Sequence, residues 1–220
     1  MKGNVLRYVI RDTLPVLTGY LALGMGFGVL MQTNGYGILL PIMMSIFIFS
    51  GSMQYAAVGL LTSGASMLTV ALTTLVVNAR YFFYGISMAK PYRKTGAAKP
   101  YLIFALTDET YSLVCSGEKD LRYCLLVSLF DHIYWITGTL LGTLLSSAVT
   151  FNSRGIEFAQ TALFLTVFTE QWLNTKNHIP AVTGVALTVL CVLAFGSGNF
   201  LIPAMLAITA ALFLERRVNQ

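Results

Sequence analysis

Phe49-Ser-Gly-Ser-Met-Gln54 and Asn78-Ala-Arg-Tyr81 bracket a mostly apolar run in the first half of the chain. On either side lie long stretches of Leu, Ile, Val, Phe and Ala that could cross a bilayer unaided. The two quoted motifs place polar groups where such a stretch should hold hydrocarbon. A charged side chain at mid-membrane costs about 2.5–3.5 kcal/mol on insertion scales, so Arg80 needs a partner or water. A glycine flanked by serines frees backbone groups that must then line a cavity or find partners. The fold is therefore read outward from an interrupted membrane segment.

Composition agrees. Hydrophobic residues make up 56% of the 220 positions, charged residues 10%, and the mean hydropathy is +0.72. Soluble chains carry about 25% charged residues. Apolar segments of about 20 residues, each enough for about 30 Å of hydrocarbon, recur along the whole length. The expectation is an all-α polytopic membrane protein with about seven transmembrane segments, six to eight, some broken or re-entrant. One membrane domain over 1–220 is expected, since no polar loop approaches domain size. The basic start, with Lys2, Arg7 and Arg11, runs into an apolar stretch of spanning length, so no cleavable signal peptide is expected. The net charge of +5 fits loops anchored on anionic lipid, because no basic run interleaves with aromatics as nucleic-acid binding would require. Cys115, Cys124 and Cys191 read as small core hydrophobes, not as a disulfide or metal site.

Taken in order, residues 1–12 form a basic amphipathic lead-in, and a first span covers about Leu14–Met31 with Gly19, Gly24, Gly26 and Gly28 for close helix packing. The second segment, about Leu39–Leu61, holds the first interruption. Ser50 and Gln54, four apart, share a face on a helix; if the helix breaks at Gly51, the freed backbone groups can instead line a cavity. A third span runs to about Met88 with Thr74, Asn78 and Tyr81 as a polar stripe, followed by the basic loop Lys90 to Lys99. Tyr101–Cys115 is apolar but short and carries Thr107-Asp-Glu109; it either crosses or lies in the interface. Span five, about Tyr123–Ser146, contains Asp131, His132 and Trp135, then Gly138 and Gly142 in Gly-xxx-Gly spacing. A segment ending at Glu170-Gln-Trp172 follows, and the last apolar stretch, to Leu214, is interrupted by Gly196-Ser-Gly-Asn199.

An offset of 119 lays Asp12 on Asp131, Thr18-Gly19 on Thr137-Gly138 and Asn78–Arg80 on Ser197–Asn199. This describes a possible 3+3 repeat with halves 12–89 and 131–208, both broken in the corresponding place, as transporter repeats are. Seven simple spans cannot put all three basic segments on the cytoplasmic side. Either Phe49–Gln54 is re-entrant, or Tyr101–Cys115 does not cross, or the N-terminal charges lie outside.

Phe49-Ser-Gly-Ser-Met-Gln54, Asn78-Ala-Arg-Tyr81 followed by Tyr84-Gly85, and Thr107-Asp-Glu109, in that order, resemble the AzlC family over essentially the whole chain. That resemblance implies the large subunit of a bacterial branched-chain amino acid exporter in the inner membrane. It implies export of leucine, isoleucine, valine and perhaps methionine, driven by the proton-motive force. A small membrane partner of AzlD type is implied too, and no cofactor.

On that footing Ser50, Ser52 and Gln54 are candidates to hold a zwitterion at a helix break, where helix ends add dipoles of both signs. Arg80 could grip the substrate carboxylate through two parallel hydrogen bonds, or else form a structural ion pair with Asp108 or Asp131, or snorkel to the interface near Lys90. Asn78 and Tyr81 share its neighbourhood, and Asn199 marks the second break. Asp108, Glu109 and Asp131 are the candidate proton-coupling acids, since a carboxyl shielded from water can exchange a proton near neutral pH. His132 beside Asp131 is either a relay or a packing contact. A branched side chain needs an apolar pocket, for which Phe27, Met43, Met53 and Phe83 are near in sequence. The competing classes are an intramembrane enzyme, a channel and a structural subunit. Neither Gly-x-Ser-x-Gly nor His-Glu-x-x-His occurs, and buried acids suit proton coupling better than a filter.

Overall fold

The computed structural model describes residues 5–115, 120–148, 165, 168–169, 172–173, 177–196 and 200–218, with the side chains of 94, 148, 201–202, 205 and 213–218 left aside. Among the described residues the secondary structure is helical, with no strand. The chain divides into two units, 1–161 and 162–220.

The first unit is built on two long helices, α1 (Val5–Thr33) and α8 (Leu121–Ala148). At 1.5 Å per residue each is about 40 Å long, more than a bilayer's hydrocarbon thickness. Pro15, at the junction of the basic lead-in and the first apolar span, does not end the helix, so both belong to α1. The two helices lie along each other, and glycines set their separation. A Cβ on Gly24 would stand 2.9 Å from the Trp135 carbonyl, and one on Gly138 2.8 Å from that of Tyr20. At Gly28 and Gly142 it would land on the backbone of Thr139 and Met25 respectively. Small residues at such a seam let two backbones touch, which substitutes for the hydrophobic force that lipid removes.

Between these helices the chain forms short ones: α2 (Leu39–Phe47), α3 (Gly51–Thr62), α4 (Met67–Val77), α5 (Ala79–Met88), α6 (Lys99–Phe104) and α7 (Asp108–Val114). They come as three broken pairs. The expected segment Leu39–Leu61 is α2 and α3, parted at Phe49, whose φ of +40 is a left-handed conformation that a bulky residue rarely takes. The third expected span is α4 and α5, bent by 46° at Asn78. Tyr101–Cys115 is α6 and α7, parted at 105–107 because Thr107 caps a new helix, its side chain accepting from the Thr110 amide at 3.3 Å.

The ends of α1 and α5 meet α6, α7 and the start of α8 in one apolar core around Val9, Met88, Tyr92, Leu102, Val114 and Val127. Outside that core Phe27, Met31, Phe49, Met53 and Trp135 are buried as well, while the apolar side chains of α4 and α5 face outward. Met67, Leu68, Leu72, Leu75, Phe82 and Ile86 on α4 and α5 are all more than half exposed, as lipid-facing residues are. Among the described residues two helices, α1 and α8, are long and apolar enough to cross a membrane, and the bent α4–α5 pair is a third if it forms one broken span and not a re-entrant loop.

In the second unit, α9 (Ile179–Phe195) packs on α10 (Leu201–Val218). The last apolar stretch is thus two helices, and the Glu215-Arg-Arg217 tail continues the second. Cys124 and Cys191 are buried as expected, but Cys115 is exposed at the end of α7, its thiol donating to the Ser112 carbonyl at 3.6 Å.

Candidate functional site

The three broken pairs point their interruptions at one another. Asn78, shared by the end of α4 and the start of α5, accepts a hydrogen bond from Ser50 Oγ at 2.8 Å. Ser50 in turn accepts from the Tyr81 hydroxyl at 3.2 Å. Two residues on, the Arg80 guanidinium ties its own break to the other two: one nitrogen donates to Ser52 Oγ and another pairs with Asp108 Oδ2 at 2.6 Å. The Tyr84 hydroxyl donates to the other Asp108 oxygen at 2.6 Å, and its ring stacks on Tyr111 at 4.3 Å. Arg80 also stands 5.4 Å from the Tyr81 ring centroid, within cation–π range. The Arg80 and Asp108 side chains are 25% and 26% exposed. Ser50, by contrast, is buried. Chemically this is a fixed positive and a fixed negative group, side by side, ringed by hydroxyls and an amide.

Gln54 is not in this group. The helix starts at Gly51, so Ser50 is its cap and aims off the helix, while Gln54 turns to the other side. There its carbonyl accepts from Trp135 Nε1 at 2.7 Å and its amide donates to Ser45 Oγ at 3.1 Å. Ser45 also meets the Thr139 hydroxyl at 2.8 Å, and Gln54, Ser45 and Thr139 are fully buried. His132 has Ser45 O at 3.2 Å from Nε2 and the Tyr101 hydroxyl at 3.4 Å from Nδ1, with the Phe49 ring 4.3 Å away. Both sides of the imidazole are occupied, which is the packing arrangement.

The other two acids lie on a third set of contacts. Glu109 Oε2 is 2.7 Å from the Tyr20 hydroxyl, which is 2.6 Å from Thr107 Oγ1. Thr107 Oγ1 is 2.9 Å from Thr110 Oγ1, and Thr110 donates to Asp131 Oδ2 at 2.7 Å. Asp131 is wholly buried, and its Oδ1 meets no partner among the described residues.

Asn199 lies outside the described residues, as do Glu170 and Gln171. Of the apolar candidates, Phe27 and Met53 are buried whereas Met43 and Phe83 are more than two-fifths exposed. Sequence reasoning missed Tyr20, Ser45 and Thr110 altogether. A signal existed for Thr110 alone: Thr107 followed by two acids is a helix-start signature, and the third residue after a cap is the one whose amide it holds. No three His, Cys, Asp or Glu side chains converge as metal ligands among the described residues.

The family described as AzlC protein matches residues 15–149. The chain is 40% identical to the branched-chain amino acid transport protein AzlC of Bacillus subtilis over 210 residues, 93% of this chain and 83% of that one. It is 39% identical to an uncharacterized membrane protein of Helicobacter pylori, over 93% of this chain and 92% of that one. The inner membrane protein YgaZ of Escherichia coli is 24% identical over 68% of this chain and 64% of its own length. No solved structure matches. With the match spanning α1 through α8 and all three broken pairs, the chain belongs to the AzlC family.

Proposed function

We propose that the protein exports branched-chain amino acids across the bacterial inner membrane, coupled to the proton-motive force and working with a small membrane subunit of AzlD type. The single observation that carries the substrate class is the Arg80–Asp108 ion pair where three helix breaks meet. An amino acid at neutral pH is itself a plus–minus pair. Set against this site, its carboxylate takes the Arg80 fork and its ammonium takes Asp108, so charges stay balanced throughout. Ser50, Ser52, Asn78 and Tyr81 supply the surrounding hydrogen bonds, while Gln54 holds α3 against α8.

The finer points have separate support. Branched side chains are what the Bacillus subtilis relative's name describes. The inner membrane is the location in the Escherichia coli relative's name. Export, proton-motive driving and the AzlD-type partner rest on the resemblance, and the seven-span count rests on the apolar segments that recur along the chain. Repeat halves 12–89 and 131–208 draw support from α1 and α8, which the offset overlaps over 124–148 and which match in length, at 29 and 28 residues. Also, α9 ends at Phe195, two positions before the residue that the offset pairs with Asn78.

The test is efflux of radiolabelled leucine from vesicles containing the full chain, with and without its partner and with and without a proton gradient. Leucine is expected to move uphill only with the gradient. Leucinamide and 4-methylpentanoate, each lacking one of the two charges, are expected to compete poorly. Downhill movement alone indicates a channel, and no movement in any arm a scaffold. Wild-type efflux by Arg80→Gln and Asp108→Asn together removes the proposed site.

A further inference from the structure

Five oxygens form an unbroken line through the first unit: Glu109 Oε2, Tyr20 Oη, Thr107 Oγ1, Thr110 Oγ1 and Asp131 Oδ2. The four gaps are 2.7, 2.6, 2.9 and 2.7 Å, all within the range of an O–H···O hydrogen bond. Each gap needs one hydrogen. The three hydroxyls bring one each, because a hydroxyl has a single donor. Four gaps and three hydrogens leave a deficit of one, and only a carboxyl at either end of the line can make it good. We propose that Glu109 and Asp131 share a single transferable proton through this line, making it the route by which the transporter couples to the proton gradient.

The step balances without any other reactant. With the proton on Glu109, its hydroxyl donates to Tyr20, Tyr20 to Thr107, Thr107 to Thr110, and Thr110 to the Asp131 carboxylate. Transfer shifts four protons by one place each: Glu109 to Tyr20, Tyr20 to Thr107, Thr107 to Thr110, Thr110 to Asp131. Glu109 ends as the carboxylate, Asp131 as the acid, and every hydroxyl keeps one hydrogen but points the other way. Oδ1 of Asp131 has no partner, so among the described residues Thr110 is the only hydrogen-bonded link into that carboxyl. The Thr110 amide donates to Thr107 Oγ1 at 3.3 Å and pins it in either state, because a hydroxyl accepts twice.

The groups facing the line are few. Tyr20 reaches Glu109 from α1, with Arg80 from α5 and Asp108 from its own helix nearby. Thr110 from α7 touches Asp131; Glu109 from α7, Tyr20 from α1 and Tyr101 from α6 also act on it electrostatically, and His132 follows it in sequence. The Glu109 end therefore adjoins the Arg80–Asp108 pair. A solute's ammonium arriving at Asp108 places positive charge beside Glu109 and drives the shared proton toward Asp131. Binding and proton position are thereby linked.

The use of the line rests on the transport reading, but its proton count does not, and the two are tested apart. Infrared spectra of the purified full chain in lipid should show a protonated-carboxyl C=O band at neutral pH. Glu109→Gln or Asp131→Asn supplies the missing hydrogen from its own amide, so each single variant should lose the whole band. A band lost in halves by the two variants, or none in the wild type, overturns the proposal. In vesicles, Tyr20→Phe and Thr110→Val should each cut gradient-driven leucine movement by about a hundredfold or more, on the scale of lost proton-transfer groups. Leucine exchange, which moves no net proton, should persist. Gradient-driven movement at the wild-type rate in either variant overturns the route. If the wild type exchanges no leucine, the transport reading fails, and the infrared arm still decides the shared proton.

Discussion

Arg80 makes an ion pair with Asp108 and a hydrogen bond to Ser52, joining three helix breaks through one planar group. Lysine keeps the charge but not the fork. Arg80→Lys should therefore leave the protein folded and raise the KM for leucine about tenfold, the equivalent of about 1.4 kcal/mol. A KM unchanged from wild type in the efflux assay counts against Arg80 as the carboxylate ligand. That Arg80 needs a partner was legible from its place in an apolar run, and Asp108 was one of the two carboxylates that could supply it. Ser50 and Gln54 were harder. A spacing of four puts two residues on one face only inside a continuous helix, and here the helix begins between them. Tyr20 could not be read at all, because its partners Thr107 and Glu109 lie 87 and 89 positions away.

Each break has its own local cause: a capping Thr107, a bend at Asn78, and the left-handed Phe49. Phe49 is the costly one. An L-residue in that region is disfavoured by roughly 1–2 kcal/mol. The ring is nevertheless buried, in contact with His132 and near Tyr20 and Phe104. Replacing it with alanine should lose about 3–5 kcal/mol of packing. Glycine, which accepts positive φ freely, should be less damaging than alanine by about 1 kcal/mol, the reverse of the helix-interior order. Thermal unfolding of the two variants in detergent decides it; alanine milder than glycine would mean that the backbone strain is not real. The break beside Gly51, which falls at 48–50, and the one at Asn78 were legible from polar residues in apolar surroundings. The third was read only as a short segment with acids inside, since composition cannot distinguish a shallow crossing from two short helices.

For the molecule as a whole, the membrane class was legible from composition, and Gly24, Gly28, Gly138 and Gly142 were legible as packing residues, whereas Gly19, read the same way, meets no neighbour. Which helices the four join was not legible, because sequence spacing marks a surface without naming its partner. Gly142→Ala should lower the thermal midpoint and the yield of folded protein, since its Cβ would meet the Met25 backbone. Gly19→Ala, with nothing within 4 Å, should be neutral or gain up to about 1 kcal/mol from helix propensity. Equal effects of the two would show that α1 and α8 do not approach so closely.

Backbone resting on backbone at Gly28 and Gly142 has no side-chain cushion to compress. Such a joint behaves as a mast: it can be carried but not flexed, so alternating movement must fall to the elements that already bend. A covalent tether between α1 and α8 should leave leucine transport intact. One clamped across the 46° elbow at Asn78 should stop it.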